Sequence, residues 1–311
     1  MPTLKEIKGR IASVKSTLKI TAAMKLVSSA KLRKAQKAAE AMRPYEAQLQ
    51  RMLSLVASGP SAEWNEFSVA KKKADAPENE PVSLPAAPSV IVAIASNSSL
   101  CGGFNANAIA KVRSVRQAGD VVYSVGRKMA DVMRKDGFPS PEDFTALADH
   151  PEYGPAAALV EKLMDDVRDG KYARVVLVYT HFVSTAKQVP TVEELMAPAF
   201  PAAEENYFSQ SFPKNQFSPA STMPTQGADA ILEPSRKDLL EALEPKVLKL
   251  KLYAALLDSA AAEHAARTVA MQTATDNGEN LLQELTLQYN KGRQQKITSE
   301  ILDLAGGQAQ D

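Results

Sequence analysis

Between Leu4 and Val56 the chain places apolar or small residues at alternating steps of three and four: Leu4, Ile7, Ile11, Val14, Leu18 and Thr21, then on through Lys25, Ser28, Leu32, Ala35, Ala39 and Met42. Such a pattern draws the narrow stripe of a coiled-coil helix, not the broad face of a helix on a globular core. Past Met42 the large apolar side chains point to a slip of three, to Tyr45, Leu49, Met52 and Val56. Only Gly9 and Pro44 interrupt the run. A rod of this length, roughly 80 Å at 1.5 Å per residue, cannot bury its stripe against itself. It needs a partner helix.

The partner lies at the other end of the chain. Glu233-Pro234-Ser235 reads as a helix start, with Ser235 as cap and Asp238 three positions on, a variant of the capping box. Helical periodicity then runs through Leu239, Leu243, Val247, Leu250, Tyr253, Leu257, Ala260, His264, Arg267, Met271, Ala274, Leu281 and Leu285 to Leu304. Pro245 is expected to kink this helix or to mark where its straight part begins. If the two helices pair antiparallel with Val56 level with Ser235, equal rise sets Leu4 near Leu287. Residues 288–304 then protrude as a single helix of about 25 Å. A bare tip carrying Ile297, Ile301 and Leu304 needs a socket.

Between the helices the period changes. Val90-Ile91-Val92-Ala93-Ile94-Ala95, Val121 to Val125 and Ala173 to Tyr179 are short apolar runs suited to strands buried on both faces. Ala106 to Gln117, Arg127 to Lys135 and Pro155 to Arg168 read as helices, the last closed by Asp169-Gly170. Strand alternating with helix predicts an α/β, Rossmann-like domain with a largely parallel sheet. The chain therefore divides into an N-terminal coiled-coil helix at 1–58, a proline-rich linker or insertion at 59–88, the α/β domain at 89–230, and a C-terminal coiled-coil helix at 231–311. Residues 197–227, rich in Pro, Ser, Asn, Gln and Phe, read as either a long loop or edge strands.

Charge is unevenly spread. Residues 1–51 hold 12 Lys or Arg against 3 Asp or Glu, while the whole chain of 311 residues is +1. A helix so basic asks for an acidic surface, a nucleic acid or an anionic membrane as neighbour. The lysine triplet at 71–73 reads as a solvated loop. The single cysteine, Cys101, excludes an intrachain disulfide and makes a reduced compartment the default. No apolar run approaches the ~20 residues of a membrane span. The acid-poor start resembles a mitochondrial transit peptide in composition, yet its heptads run unbroken into the rod, so removal would cut it.

Catalytic patterns are missing. Ser96 to Asn105, with Gly102-Gly103, resembles a phosphate-binding turn but lacks Gly-Lys-Ser/Thr and dinucleotide glycine spacing, so tight packing of loop on helix is the expectation. His150, His181 and His264 lie too far apart for metal-ligand spacing. Asp165-Asp166 and Glu193-Glu194 have no convergent partner in sequence. No cofactor or metal is expected. Lys25 and Ser28 are odd stripe residues where Leu would stabilise a pair, while Met24 and Val27 sit on the flank. An outside partner touching the rod would account for that.

Ile20 to Gln36, Leu100 to Asn105, Phe182 through Pro190-Thr191, Ala270-Met271 through Ala274-Thr275-Asp276-Asn277, Tyr289 to Gln294 and Ile297 to Ile301 occur in the order found in the gamma subunits of F-type ATP synthases, which the chain closely resembles. The resemblance implies a noncatalytic rotor shaft. The antiparallel pair would pass through a ring of alternating alpha and beta subunits with its tip in an apolar sleeve. The α/β domain would rest on the c-ring beside epsilon, with no membrane span of its own and no nucleic acid. Proton flow would turn the shaft and drive the catalytic sites, which the family carries on beta. By motif position, Met24, Lys25, Arg293, Gln294 and Thr298 would meet beta loops. The location implied is the cytoplasmic face of a bacterial inner membrane, peripheral, since no presequence precedes the family start.

Departures accompany the match. Asn97-Ser98-Ser99 stands where the family commonly has Ser-Asp followed by a residue and Gly, so contacts of that Asp do not transfer. Gly278 and Gly292 replace commoner alanines, at roughly 1 kcal/mol each of helix propensity. Gln308 replaces an alanine after Gly307, the 59–88 insertion is not general, and the redox switch of the chloroplast version needs two cysteines. From the residues alone, a basic coiled-coil protein on nucleic acid is the alternative; its affinity should fall steeply with salt. A small-molecule enzyme on the α/β domain is a third reading.

Overall fold

The computed structural model describes residues 3–57, 87–196 and 233–307. Two long helices enclose the rest: α1 (Leu4–Ala57, 54 residues) and α6 (Arg236–Gly307, 72 residues). Both start on side-chain caps, the first of them reciprocal. The Thr3 backbone N–H donates to Glu6 and the Glu6 N–H to the Thr3 hydroxyl (3.0 and 3.3 Å), while Ser235 accepts from the Asp238 N–H at 3.1 Å and donates to its carboxylate at 2.7 Å. Each cap satisfies backbone donors that a helix start leaves open. The helical span of α6 continues through Pro245 without a break; Leu240, Val247 and Leu248 are buried around it.

The helices pair antiparallel along the stripe. Ile7, Thr21, Ser28, Leu32, Leu49 and Val56 are buried, and Leu4, Ile11, Val14, Leu18, Lys25, Ala35, Ala39 and Met42 are half-buried. The expected slip after Met42 is not found. Tyr45 and Met52 are 57% and 52% exposed, whereas Glu46 is half-buried and Leu49 and Val56 are buried. The four-three spacing simply continues, and a straight helical pair turns whatever residue falls on the stripe inward, even a Glu, in preference to a larger apolar neighbour. The axial register also differs from the equal-rise estimate. Leu4 meets Gly292, five residues beyond Leu287, and Leu18 meets Gly278; the single helix therefore begins past Gly292.

Linker residues 59–86 and the 197–227 stretch lie outside the described residues. The domain between the rods has the order β1 (Val90–Ile94), α2 (Phe104–Val115), β2 (Val121–Val125), α3 (Arg127–Lys135), α4 (Thr145–Asp149), α5 (Tyr153–Arg168), β3 (Val175–Phe182) and β4 (Gln188–Met196). Its sheet runs β2-β1-β3-β4, with β1 parallel to β2 and β3 and with β4 antiparallel to β3. Ile91 aligns with Val122 on one side and Val176 on the other, and Tyr179 with Thr191. Pro190 can sit in β4 because that strand lies at the end of the described order, where a missing N–H is tolerated. The short helix α4 has too few residues to show periodicity and was not legible in the sequence.

Both sheet faces are covered, as continuous apolar strands require. Ile91, Ala93, Val122, Val176 and Val178 pack on Ala108 and Val112 of α2 and Met129 and Met133 of α3. Val92, Tyr123, Leu177 and Tyr179 pack on α5 and, decisively, on Leu248, Leu252, Ala255 and Leu256 of α6. The domain is thus mounted on the C-terminal helix. Gly126 turns β2 into α3 at φ +99, and an added Cβ there would lie 2.2 Å from the Ala95 carbonyl oxygen, so no other residue fits.

Gly9 faces open space, while a Cβ on Gly278 would lie 2.7 Å from Leu18 Cδ2. Gly9→Ala is expected to stabilise the helical pair by about 1 kcal/mol through helix propensity. Gly278→Ala should gain measurably less, because Leu18 must move. Urea denaturation followed by helix ellipticity checks the order.

Candidate functional site

The features that stand out are on the rod, in two tiers. The lower tier is a belt of α1. Met24 and Lys25 are both half-buried, Lys25 at the stripe position between buried Thr21 and Ser28. Beside them Ile20, Leu26 and Val27 are exposed, and the pairing register places Val269 of α6, also exposed, level with Val27. Lys15, Lys19, Lys31, Arg33, Lys34 and Lys37 stand exposed around this belt. Thr21 and Thr275 join the helices across the seam, hydroxyl to hydroxyl, at 3.0 Å.

The upper tier is the free end. Arg293, Gln294 and Thr298 are exposed within its first turns, with the Thr298 hydroxyl turned back on the Gln294 carbonyl at 3.0 Å. Ile297 and Ile301 are 47% and 60% exposed, one turn apart on one face. Leu302 is 65% exposed beside them. The Leu304 side chain lies outside the described residues. Arg293 is 22 residues along α6 from Met271, the residue level with Lys25, so the tiers are about 33 Å apart. The expected contact residues therefore form two separate groups. Sequence reasoning missed Ile20, Leu26 and Leu302; the signal for them was a large apolar residue off the stripe.

The Ser96 to Asn105 turn spends its polar groups on itself and on neighbouring helices of the domain. Ser96 donates from its backbone N–H and its hydroxyl sits against the Asn105 carboxamide oxygen (3.0 and 2.9 Å), and Asn105 Nδ2 reaches Cys101 Sγ at 3.2 Å. Asn97 donates to the Thr145 carbonyl and to Asp149, both at 2.7 Å, and accepts from the Arg127 N–H. Cys101 and Phe104 pack on Ala262 of α6, making the loop a wedge between domain and rod. Among the described residues no cluster of His, Cys, Asp or Glu has metal-site geometry, and no helix is long and apolar enough to cross a membrane.

Charged groups tie the domain to the rod. Glu263 and Arg267, one turn apart and buried, pair at 2.6 Å, and Arg267 also donates to the Ser99 carbonyl at 3.4 Å. Burial raises the Glu263 carboxyl, an effect opposed by Arg267. Asp258 accepts from the Phe182 N–H at 3.2 Å and pairs with His181 Nδ1 at 2.5 Å. Lys251 faces Glu193 at 3.7 Å, and Glu193 accepts from Tyr179 at 2.9 Å. Burial lowers the Lys251 ammonium and raises the Glu193 carboxyl.

The described rod thus carries two tiers of exposed side chains beside an α/β domain whose core is completed by α6. A family profile described as ATP synthase matches residues 3–309. The ATP synthase gamma chain of Phocaeicola vulgatus is 43% identical over 314 residues, covering 99% of each chain. This chain belongs to the ATP synthase gamma chain family. The gamma chain of Bacteroides thetaiotaomicron is 41% identical over 317 residues, covering 100% of both. Among solved structures, a chain of the Euglena gracilis mitochondrial ATP synthase rotor, seen by cryo-EM, matches with a TM-score of 0.60 at 19% identity, over 94% of this chain and 98% of that one. The likeness shows a shared fold.

His264 on α6 is held to a pKa of about 4, first by burial and then by Arg267 and Lys31. The unfolded chain takes up this proton near pH 6.5 and the folded chain only near 4, so stability falls as pH drops across that window. His264→Gln should flatten the difference between pH 7 and pH 5, by an amount on the order of 1–2 kcal/mol. Paired urea titrations of both chains measure it.

Proposed function

We propose that this chain is the central shaft of a rotary, proton-translocating ATP synthase and that the catalytic residues lie on beta. The observation that carries the reading is the end of α6, unaccompanied among the described residues, which holds Ile297, Ile301 and Leu302 exposed. Exposed apolar side chains on a lone helix are favoured by a covering surface, and a close apolar sleeve formed by alternating alpha and beta subunits supplies one. Ile297, Ile301 and Leu304 are the residues assigned to that sleeve. Arg293, Gln294 and Thr298 just below it, and Met24 and Lys25 in the lower tier, face loops of beta. The basic α1 surface complements acidic loops there.

The α/β domain sits on the membrane c-ring beside epsilon, peripheral at the cytoplasmic face of the bacterial inner membrane. Proton flow turns ring and shaft together. Because the rod presents Lys25 and an apolar belt on one helix and a different face on the other, each beta subunit meets a different surface at any moment. Those differences drive the beta sites through different nucleotide affinities. The working parts are the helices at 1–58 and 231–311 and the domain at 89–230; the 59–88 insertion has no role in this scheme.

The test is reconstitution with alpha and beta subunits. The wild-type chain is expected to assemble with an ATP-hydrolysing ring. Replacing Arg293 and Gln294 together with Ala should leave the rod helical and weaken its hold on beta by about 2 kcal/mol, the loss expected of an interfacial Arg hot spot, so that coupled turnover falls. Unchanged coupling removes the contact assignment. Failure of the wild-type chain to assemble removes the rotor reading itself.

A further inference from the structure

The axial position of α1 is not set by the chain's connections. Its C-terminus at Ala57 is separated from Val90 by 32 residues, a contour far longer than one heptad of helix. The domain's core is completed by α6 through Leu248, Leu252, Ala255 and Leu256, and α1 meets the domain at a small cluster where Leu32 and Ala35 gather with Phe182. A coiled-coil stripe repeats every seven residues, so α1 meets nearly equivalent seats one heptad up or down. Something in the seam must distinguish them.

Four heptad-spaced positions of α6 supply the distinction. Residues 271, 278, 285 and 292 are Met, Gly, Leu and Gly, and Met271 and Leu285 are buried. Opposite the two glycines stand Leu18 and Leu4, themselves fourteen residues apart, with Cδ2 atoms 2.7 and 3.1 Å from where a Cβ would be. The same register sets Ile11 level with Leu285 and Lys25 level with Met271. Large and empty seats therefore alternate along α6, and both leucines of α1 fall on the empty ones.

We infer that this alternation, together with the Thr21–Thr275 hydrogen bond, is a register lock that holds α1 in one axial seat. A slip of one heptad brings Leu18 onto Leu285 in one direction and onto Met271 in the other, where the native register offers it a glycine. It leaves a glycine opposite Ile11 in both. It also breaks the threonine pair in one direction, where Thr21 comes level with Leu282. In the other Thr21 comes level with Thr268, whose hydroxyl is turned back on its own helix (2.8 Å to the His264 carbonyl) as that of Thr275 is (2.9 Å to the Met271 carbonyl), so there the mismatch of seats, Leu18 on Met271, alone opposes the slip. The two glycines, which weaken α6 as a helix, act as sockets. On the rotor reading proposed above, the lock also sets how far the tip projects, since one heptad is about 10 Å of helix.

The test reads register directly on the full chain, without the ring, so its outcome is separate from that of the rotor reading. Spin labels go on Lys5→Cys and Thr273→Cys, both exposed and far apart along the rod; Cys101 is buried and stays unlabelled. Pulsed electron resonance should give one distance for the otherwise native chain. A levelled variant, with Leu4, Leu18, Gly278 and Gly292 all changed to Ala, should add populations shifted by about 10 Å. A single native distance in that variant, with its helix content retained, overturns the lock. Where the levelled variant loses helix, the exchange pair decides: Gly278→Leu alone should broaden or shift the distance, and Leu18→Ala with Gly278→Leu should restore it. No restoration overturns the lock as well.

Discussion

The contact between α1 and α6 is what every other part of this protein depends on. Neither helix can stay helical over its length without burying a stripe, and each is the other's only described partner of comparable length. The α/β domain adds its own core, but that core is completed by α6 side chains, Leu252 and Leu256 among them. The domain therefore follows α6, and α1 follows the seam. Whatever rotates or holds one helix carries the whole chain with it.

That seam is not built for stability alone. Apolar clusters around Leu32 and Leu49 secure the half of the rod beside the domain. Between Leu18 and Leu32 the stripe turns polar, with Thr21 and Ser28 buried and Lys25 half out. The Thr21–Thr275 hydrogen bond there stands in place of interdigitated Leu, contributing less to stability but favouring a register that pairs polar with polar. Over the same turns the large apolar residues, Ile20, Leu26 and Val27, are turned to solvent. The inversion makes sense if the outer surface at this level is where neighbours read the rod. The buried Glu263–Arg267 pair lies just inside it, tying the rod to the Ser99 loop of the domain.

Much of the rod was legible in the residue order, for physical reasons that differ by element. Heptad spacing and caps revealed both helices and the free end, because a stripe with no local partner is visible as periodicity. Arg293, Gln294, Thr298, Met24 and Lys25 came from motif position in a family, not from spacing. Ile20, Leu26 and Leu302 were passed over because an apolar residue off the stripe reads as incidental until its exposure is known. Tyr45 and Met52 were taken for seam residues on size, and the structure puts them outside because helix geometry, not hydrophobicity, decides which side faces in. The pairing of His181 with Asp258 gave no signal, the two being far apart in the chain.

The sequence by itself determined that two terminal helices must pair, that a sheet of doubly buried strands lies between them, and that one helix outlasts the other. These follow from local periodicity and length, which the residues carry openly. Only the tertiary structure decided the register, because an antiparallel seam repeats every heptad and counting from loop ends misses it by five residues. It also decided what the glycines do. In sequence Gly278 and Gly292 are weak points of a helix; against Leu18 and Leu4 they are the space that lets the two rods close, a property that exists only between helices.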